Sequence, residues 1–556
     1  MFSRRGALLL LLPVLLILVG YVLYPSLRMF VLGMTWENYT TIFASWRSAN
    51  VRALTNSVSI SLFTVLGAGA LGTLLAYLFF RYDFPLRRTL MALAALPLAL
   101  PPLVGVLAFL FLYGESGILP RGLQVLFGLD TVPFAFDGLW AVWLVHVYSM
   151  YVYFYLFVTA ALRTVDRSLL EASADMGATS ATTFRRIILP LLRPSLVSAS
   201  LLVFMISMAS FTAPLLFAGS ENFLTLQIYN YKTNGNLELS AAVSTALTLI
   251  CLFFLLLIEL GHKKTRTIGA AKGTAPPALP VQRGLGRFVA LFGAVVLLLF
   301  LLLPIATIVL ISFVEEGAWT YQVLPERYTF GHYTALFADP DVLQPILNSL
   351  QMATLATLGN LVFGVAAALF ITKGRIPGRT LVRVLSVLPF AIPGTVIAVN
   401  LIVTFNTPTP LTAGQVLVGS FWMLPLAYFI RNIPLIVRAT TAALETYDDR
   451  LTEASTDLGA RFGTTFRRVV LPVIGPGILA GTLLTFVAAL GEFVSSIMLY
   501  IPANRPISVE IWAQLGRLAN FGAAAAYSVF LMILIGLSTL AVRTLGGQKE
   551  PSTGVF

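Results

Sequence analysis

The sequence predicts an all-α polytopic membrane protein of about twelve spans, arranged as two parallel six-helix repeats. Three observations carry this. Hydrophobic residues fill 58% of the 556 positions, charged ones only 11%, and the mean hydropathy is +0.88. That leaves too little polar surface to cover a soluble core of this size. Apolar runs of about 20 residues, the length that crosses a hydrocarbon core, recur along the whole chain. Segments of the first half also reappear in the second.

The expected spans of the first half are 7–32, 56–80, 90–113, 138–162, 196–218 and 240–260. Those of the second are 288–313, 348–372, 381–405, 413–437, 478–501 and 522–543. The first run follows Arg4 and Arg5 and reaches Tyr24-Pro25 without a small-x-small cleavage site. It therefore reads as an uncleaved span and not as a signal peptide.

The loops between runs alternate in charge. One set carries Arg81, Arg87 and Arg88, then Arg163, Arg167, Arg185, Arg186 and Arg193, then Lys263, Lys264 and Arg266, then Lys373, Arg375 and Arg379. The other set is mostly acidic: Glu115, Asp130, Asp137, Glu221, Glu238, Glu315, Glu316, Glu326, Asp339 and Asp341. By the positive-inside rule both termini are expected in the cytoplasm, as an even number of spans requires. The formal net charge of +12 is thus a topology signal. It gives no reason to expect a nucleic-acid partner, and membrane lipid is the expected surrounding.

Side chains that could carry chemistry are sparse. Cys251 is the one cysteine and lies in an apolar run, so no disulfide framework or cysteine metal site is available. His146, His262 and His332 are far apart and show no ligand spacing, which favours structural roles. There is no Gly-x-x-x-x-Gly-Lys-Ser/Thr phosphate loop, no nucleophile–base constellation and no metalloprotease motif. The chain reads as a non-enzyme.

The repeat is visible at residue level. Asn56-Ser57 recurs as Asn348-Ser349, and Leu96-Pro-Leu-Ala-Leu-Pro101 as Leu388-Pro-Phe-Ala-Ile-Pro393. Equal orientation of the halves implies parallel repeats about an axis along the membrane normal. Residues 1–265 form the expected first repeat and 287–556 the second. The Lys/Gly/Ala/Pro-rich stretch 266–286 between them reads as a cytoplasmic linker.

Two matched loops carry the functional signal. Residues 163–195 contain Glu171-Ala172-Ser173-Ala-Asp-Met-Gly177 and end at Leu189-Pro190. Residues 438–477 contain Glu453-Ala454-Ser455-Thr-Asp-Leu-Gly459 and Leu471-Pro472. Glu to Gly is six positions in both, and Gly to Pro is thirteen in both. The small residues permit close approach of a partner. Glu171 and Glu453 are expected early in a short helix, facing the positive end of its dipole. Gly177 and Gly459 are expected to end that helix at positive φ. The pairs Arg185-Arg186 and Arg467-Arg468 suit lipid headgroups.

These loops resemble the "EAA" loop of ABC-importer permeases, with serine in place of the second alanine. The resemblance covers almost the whole chain and implies the type I permease fold, fused to double length. It also implies two copies of a separate cytoplasmic ABC ATPase, one beneath each loop. ATP and magnesium would bind there and not to this chain. A periplasmic or lipid-anchored solute-binding protein, alternating access, and a location in the bacterial inner membrane follow from the same resemblance.

The pathway is less well marked. Glu492 is expected well inside the eleventh span, where a carboxylate is costly. With the loops in register its first-half counterpart is Ser210, so Ser210, Phe211, Glu492 and Phe493 are the candidate pathway residues. Two readings stand, a cargo contact or a structural carboxylate bonded to neighbouring helices. Pro97, Pro101, Pro102, Pro389 and Pro393 are expected to kink the third span of each half, as hinge or as packing. Outer loops Glu221–Leu239 and Pro502–Phe521 read as a docking surface for the binding protein, or as interfacial anchors. Tyr229 and Tyr231, at strand spacing, would face one way; iron ligation by them is a third reading.

Leu490-Gly-Glu-Phe493 and Leu499–Val509 look most like ferric-iron permeases among fused types, which also include 2-aminoethylphosphonate and thiamine permeases. Ferric iron wants several oxygen anions, and one deep carboxylate is in view. The ion would cross as a chelate or hydrated complex, or the cargo is another solute. The rival of a different class is an ion-coupled secondary transporter, which would bury several ionisable groups along its path and have no use for the matched loops.

Overall fold

The computed structural model describes residues 4–265, 279–280, 285–319, 322–374, 377–517 and 520–545. Apart from positions 279–280 and 285–286, the expected linker lies outside them. The described chain is almost wholly helical. The exceptions are small: Tyr82–Asp83 pairs in parallel with Leu279–Pro280, and one bridge joins Val314 to Tyr328.

The first half supplies six long helices: Leu10–Gly33, Ala49–Arg81, Pro102–Phe127, Gly138–Leu162, Ser180–Met208 and Leu237–Leu260. The second supplies Phe292–Ile311, Pro340–Lys373, Phe462–Leu490 and Phe521–Ala541. Its ninth span is the pair Arg379–Ala391 and Gly394–Phe405, bent by 110°. Met423–Glu445 completes the set as the tenth. Arg431 and Arg438 dilute its apolar character, but it occupies the place of Gly138–Leu162 in the first half.

Expectations on five spans are corrected. The tenth starts at Met423 and not at 413, because 406–422 holds Pro408, Pro410, Gly414 and Gly419, with Ala413 and both glycines at positive φ. The fifth span begins earlier than 196 and ends at Met208. The eleventh likewise ends at Leu490 and does not reach 501. The second and eighth helices run 33 and 34 residues, about 50 Å at 1.5 Å per residue, well beyond the hydrocarbon thickness.

The proline kinks are present in both halves. The third span is interrupted by one 3-10 turn at Leu96–Ala99, and Pro101 starts the helix Pro102–Tyr113. Pro393 starts Gly394–Phe405 in the same way. Proline lacks an N–H and suits a first turn, so the breaks fall at Pro101 and Pro393; the expected kink at Pro389 is corrected, since Pro389 lies inside the helix Arg379–Ala391.

Within each half the second span packs along the fourth, the eighth along the tenth. Glycine permits the crossing: a Cβ on Gly72 would sit 2.4 Å from the Tyr151 carbonyl. The equivalent Gly364 lies against Ile436. The halves also exchange their first helices. The first span packs on the eighth and ninth, and the seventh packs on the third. Tyr21 Oη donates to the Leu411 carbonyl at 2.6 Å, and Asn400 Nδ2 donates to Ser26 Oγ at 3.1 Å.

Candidate functional site

Between the fourth and fifth spans lies the short helix Arg167–Asp175; between the tenth and eleventh lies Asp449–Asp457. Both are built alike. Asp166 caps the first, accepting from Ser168 N at 3.0 Å, and Asp448 caps the second, accepting from Arg450 N at 3.0 Å. The expected dipole role of Glu171 and Glu453 is therefore corrected: they sit mid-helix, and the aspartates hold the positive end. Glu171 instead pairs with Arg167 one turn earlier, at 2.5 Å. Both glutamates are exposed.

Gly177 and Gly459 end these helices at φ +73° and +78°. Ala178 N bonds to Ser173 O at 3.0 Å, and Ala460 N to Ser455 O at 3.1 Å, the six-to-one closure of a Schellman turn. No atom crowds a Cβ at either glycine, so backbone conformation and not space demands the residue.

The serines that stand where the motif has alanine are bonded, not merely small. Ser173 Oγ meets Thr183 Oγ1 at 2.7 Å, and Ser455 Oγ meets Thr465 Oγ1 at 2.9 Å. Each bond ties the short helix to the segment entering the next span. Ala172 and Ala454 face outward. Beside the glycines, Met176 and Leu458 are 87% and 89% exposed, flanked by exposed Leu169 and Leu451. Each helix thus presents an apolar edge with nothing on it.

The candidate pathway residues meet at the centre. Phe211 and Phe493 are buried, with ring centroids 6.2 Å apart. Tyr229 packs, tilted, behind Phe211 at 5.5 Å and Trp512 behind Phe493 at 6.4 Å. Equivalent residues of the two halves therefore touch, which puts the axis relating the repeats between the two phenylalanines.

Ser210 and Glu492 lie just outside the helices, at their ends. The eleventh helix stops at Leu490, so Glu492 sits in a break and not within a span. Its Oε1 accepts from Ser495 N and Oγ at 2.9 and 3.0 Å. Its Oε2 faces Arg431 Nε of the tenth span at 2.7 Å. In the first half, His146 takes the central place, with Nε2 2.8 Å from Ser210 Oγ and Nδ1 3.0 Å from Ser207 Oγ. Carbonyls at the two breaks accept equivalent bonds: Thr225 Oγ1 to Ser210 O and Ser508 Oγ to Glu492 O.

Sequence reasoning read His146 as structural without placing it here, and missed Arg431. The signal was there. The loops align at an offset of 282, which puts His146 opposite Tyr428, itself bonded to Ser496 at 2.7 Å. Arg431 stands in an apolar run and deserved the weight given to Glu492.

Two other expectations change. Tyr229 and Tyr231 lie on the helix Leu224–Thr233, where residues two apart point to opposite sides. Tyr229 meets Phe211 while Tyr231 Oη donates to Asn50 at 3.0 Å. Burial also holds the Tyr229 hydroxyl above its ordinary range, and among the described residues no group of three or more His, Cys, Asp or Glu could hold a metal. The repeated Asn-Ser pair acquires a purpose. Ser57 Oγ accepts from Leu224 N at 3.1 Å and Ser349 Oγ from Ile507 N at 2.8 Å, while Asn56 and Asn348 donate to the carbonyls of Asn222 and of Ala503 and Arg505. Each pair anchors the loop that follows the pathway helix.

A family model for the binding-protein-dependent transport system inner membrane component matches residues 68–267 and again 360–547. A probable ABC transporter permease protein of Sinorhizobium fredii is 31% identical over 89% of this chain and 87% of its own. A ferric transport system permease protein of Actinobacillus pleuropneumoniae is 26% identical over 98% of this chain and 79% of its own. Among solved structures, a bacterial alginate ABC transporter in complex with its periplasmic protein covers 48% of this chain at 19% identity, with a TM-score of 0.38.

Proposed function

This chain belongs to the family of binding-protein-dependent transport system inner membrane components, and from that premise we propose that it imports ferric iron, driven by two ATPase copies docked on Arg167–Asp175 and Asp449–Asp457. It is a multi-pass permease subunit of an ABC importer, and such a subunit works with an ATPase and a solute-binding protein. The finer statements are ours: two ATPase copies, cytoplasmic termini, iron as cargo. Residues 1–265 and 287–556 are the proposed working repeats.

One observation supports the coupling assignment above the others. Two short helices, capped and terminated identically, present the bare apolar pairs Leu169/Met176 and Leu451/Leu458. Burying such residues in a partner cleft contributes roughly 1.5–3 kcal/mol each. Asp166 and Asp448 make each helix a rigid lever, and the Ser173–Thr183 and Ser455–Thr465 bonds link it to the fifth or eleventh span. Those spans end at Met208 and Leu490, just before Ser210–Phe211 and Glu492–Phe493. Closure of the ATPase dimer would draw the levers together and part the two phenylalanines. ATP and magnesium act on the partner.

Iron as the cargo is supported by the ferric permease relatives and by the Leu490–Phe493 and Leu499–Val509 segments. 2-Aminoethylphosphonate, thiamine or another small solute in the same importer class is the alternative.

The test is co-purification. A neighbouring reading frame with a phosphate loop supplies the ATPase. Met176→Asp with Leu458→Asp is expected to abolish its co-purification and to lower ATP-driven uptake by about a hundredfold or more, as removal of two hot spots would. Unchanged uptake in that variant overturns the assignment.

A further inference from the structure

The ion pair between Arg431 and Glu492 has no counterpart in the first half. With the halves in register those two places hold Ser149 and Ser210. The first half closes the same region with neutral groups, His146 between Ser207 and Ser210. Architecture alone therefore does not need charge here, and charge inside a membrane protein is costly.

The pair is not sealed. The Glu492 side chain is 7% exposed but that of Arg431 is 34% exposed, although its neighbours Ile430 and Asn432 are buried. Arg431 thus keeps a third of its side-chain surface uncovered by the chain, beside a carboxylate that is buried. Among the described residues it makes no hydrogen bond, and Glu492 is its one ionic partner. Its Nη1 lies over the break in the ninth span, where a Cβ on Gly394 would sit 3.1 Å away.

Gly394 opens the 12-residue helix Gly394–Phe405. The first-turn N–H groups of a helix have no helical acceptor and carry the positive end of its dipole. Thr395, on that turn, is fully buried and its hydroxyl has no partner among the described residues. From the other half, Pro101 packs against Gly491, 3.4 Å from a Cβ built there. The two broken spans thus bracket Glu492. What they offer is a guanidinium, a helix N-terminus and an unpartnered hydroxyl, with one carboxylate that a stronger anion can displace.

We propose that Arg431 is the cargo-contacting group of the pathway and that the cargo crosses as an anion, an oxyanion or a metal wrapped in oxyanions. This rests on the importer reading above and narrows its cargo: ferric iron would pass inside an anionic chelate. Arg431 turns from Glu492 Oε2 to the cargo, while Ser495 keeps Glu492 in place through Oε1. The guanidinium contributes planar, paired donors that match an oxyanion.

The probe is inorganic phosphate, at matched ionic strength against chloride, on the purified full chain in a maltoside micelle. Phosphate is expected to raise the unfolding temperature saturably, as a ligand of the native state does. Arg431→Gln is expected to lose the rise and Arg431→Lys to keep part of it. Glu492→Gln removes the competing carboxylate, and its half-saturating phosphate concentration is expected to fall by about threefold or more. Thr395→Val is expected to weaken binding several-fold. A purely structural pair predicts lower stability in these variants but no change in phosphate dependence. The proposal is overturned if wild type shows no phosphate-specific rise, or if Arg431→Gln shows the same rise as wild type. ATPase co-purification separates the two readings: a wild type that binds phosphate but no ATPase sinks the importer mechanism alone, and the converse sinks only the anionic cargo.

Discussion

Gly177 and Gly459 show how one residue sets a device. Each is at positive φ in open space, so the penalty for a side chain comes from the backbone alone. Gly177→Ala is expected to cost about 1 kcal/mol or slightly more, Gly177→Asn less, and Gly177→Val most, since β-branched residues avoid the left-handed region. ATP-driven uptake should fall in that order; equal loss in all three would mean a steric role. Ser57 and Ser349 make a second residue-scale case. Each satisfies a buried backbone N–H, so Ser57→Ala and Ser349→Ala should each destabilise by about 1–3 kcal/mol. They sit in different halves, so the losses should add, as denaturant or thermal unfolding would read. The glycine conformations were legible from the motif. The serine bonds were not, since sequence repetition says that a residue matters but not what it touches.

At the scale of elements, breaks matter as much as spans. Leu-Pro patterns marked the third and ninth spans as kinked, because proline removes a donor wherever it stands. The ends at Met208 and Leu490 were not read from the sequence, although Ser210, Thr212 and Pro214 follow the first and Gly491-Glu492 the second. Ending the eleventh helix at Leu490 moves Glu492 from a span into a buried turn. Packing of the second span on the fourth is tight at Gly72, where an added methyl meets the Tyr151 carbonyl at 2.4 Å and Tyr155 N at 2.9 Å. Gly72→Ala should therefore destabilise by about 1–3 kcal/mol. Gly364→Ala meets Cγ2, Cγ1 and Cβ of Ile436 at 2.6, 2.7 and 3.1 Å, a stiff branched side chain but not a backbone carbonyl, and should cost somewhat less. Thermal unfolding of the two variants checks the order, and a reversal would mean that backbone contact is not what limits the crossing.

Across the whole molecule, the halves are interlocked rather than laid side by side. The first span lies on the eighth and ninth, and the seventh on the third, with Tyr21–Leu411 and Asn400–Ser26 bonds across the join. A chain cut between 266 and 278 is therefore expected to yield two pieces that co-purify when expressed together. Removing residues 1–33 should abolish that association. Independent halves that fail to associate would contradict the exchange of first helices. The interlock also bears on the proposed mechanism, in which parting Phe211 from Phe493 would carry each first helix along with the opposite half.

The sequence by itself determined what depends on solvent and on local backbone rules. Apolar length and loop charge settled the membrane class and the six-plus-six layout. Proline settled two of the breaks, and the spacing of two short motifs settled the family. Tertiary structure alone decided what depends on which side chains meet. It paired Glu492 with Arg431, set His146 between two serines, turned Tyr229 and Tyr231 apart, and crossed the first helices between halves. The reason is physical. Transfer of a residue from water and the allowed φ of its backbone are properties of that residue and its neighbours in the chain, whereas an ion pair between positions 431 and 492 exists only once two helices have packed.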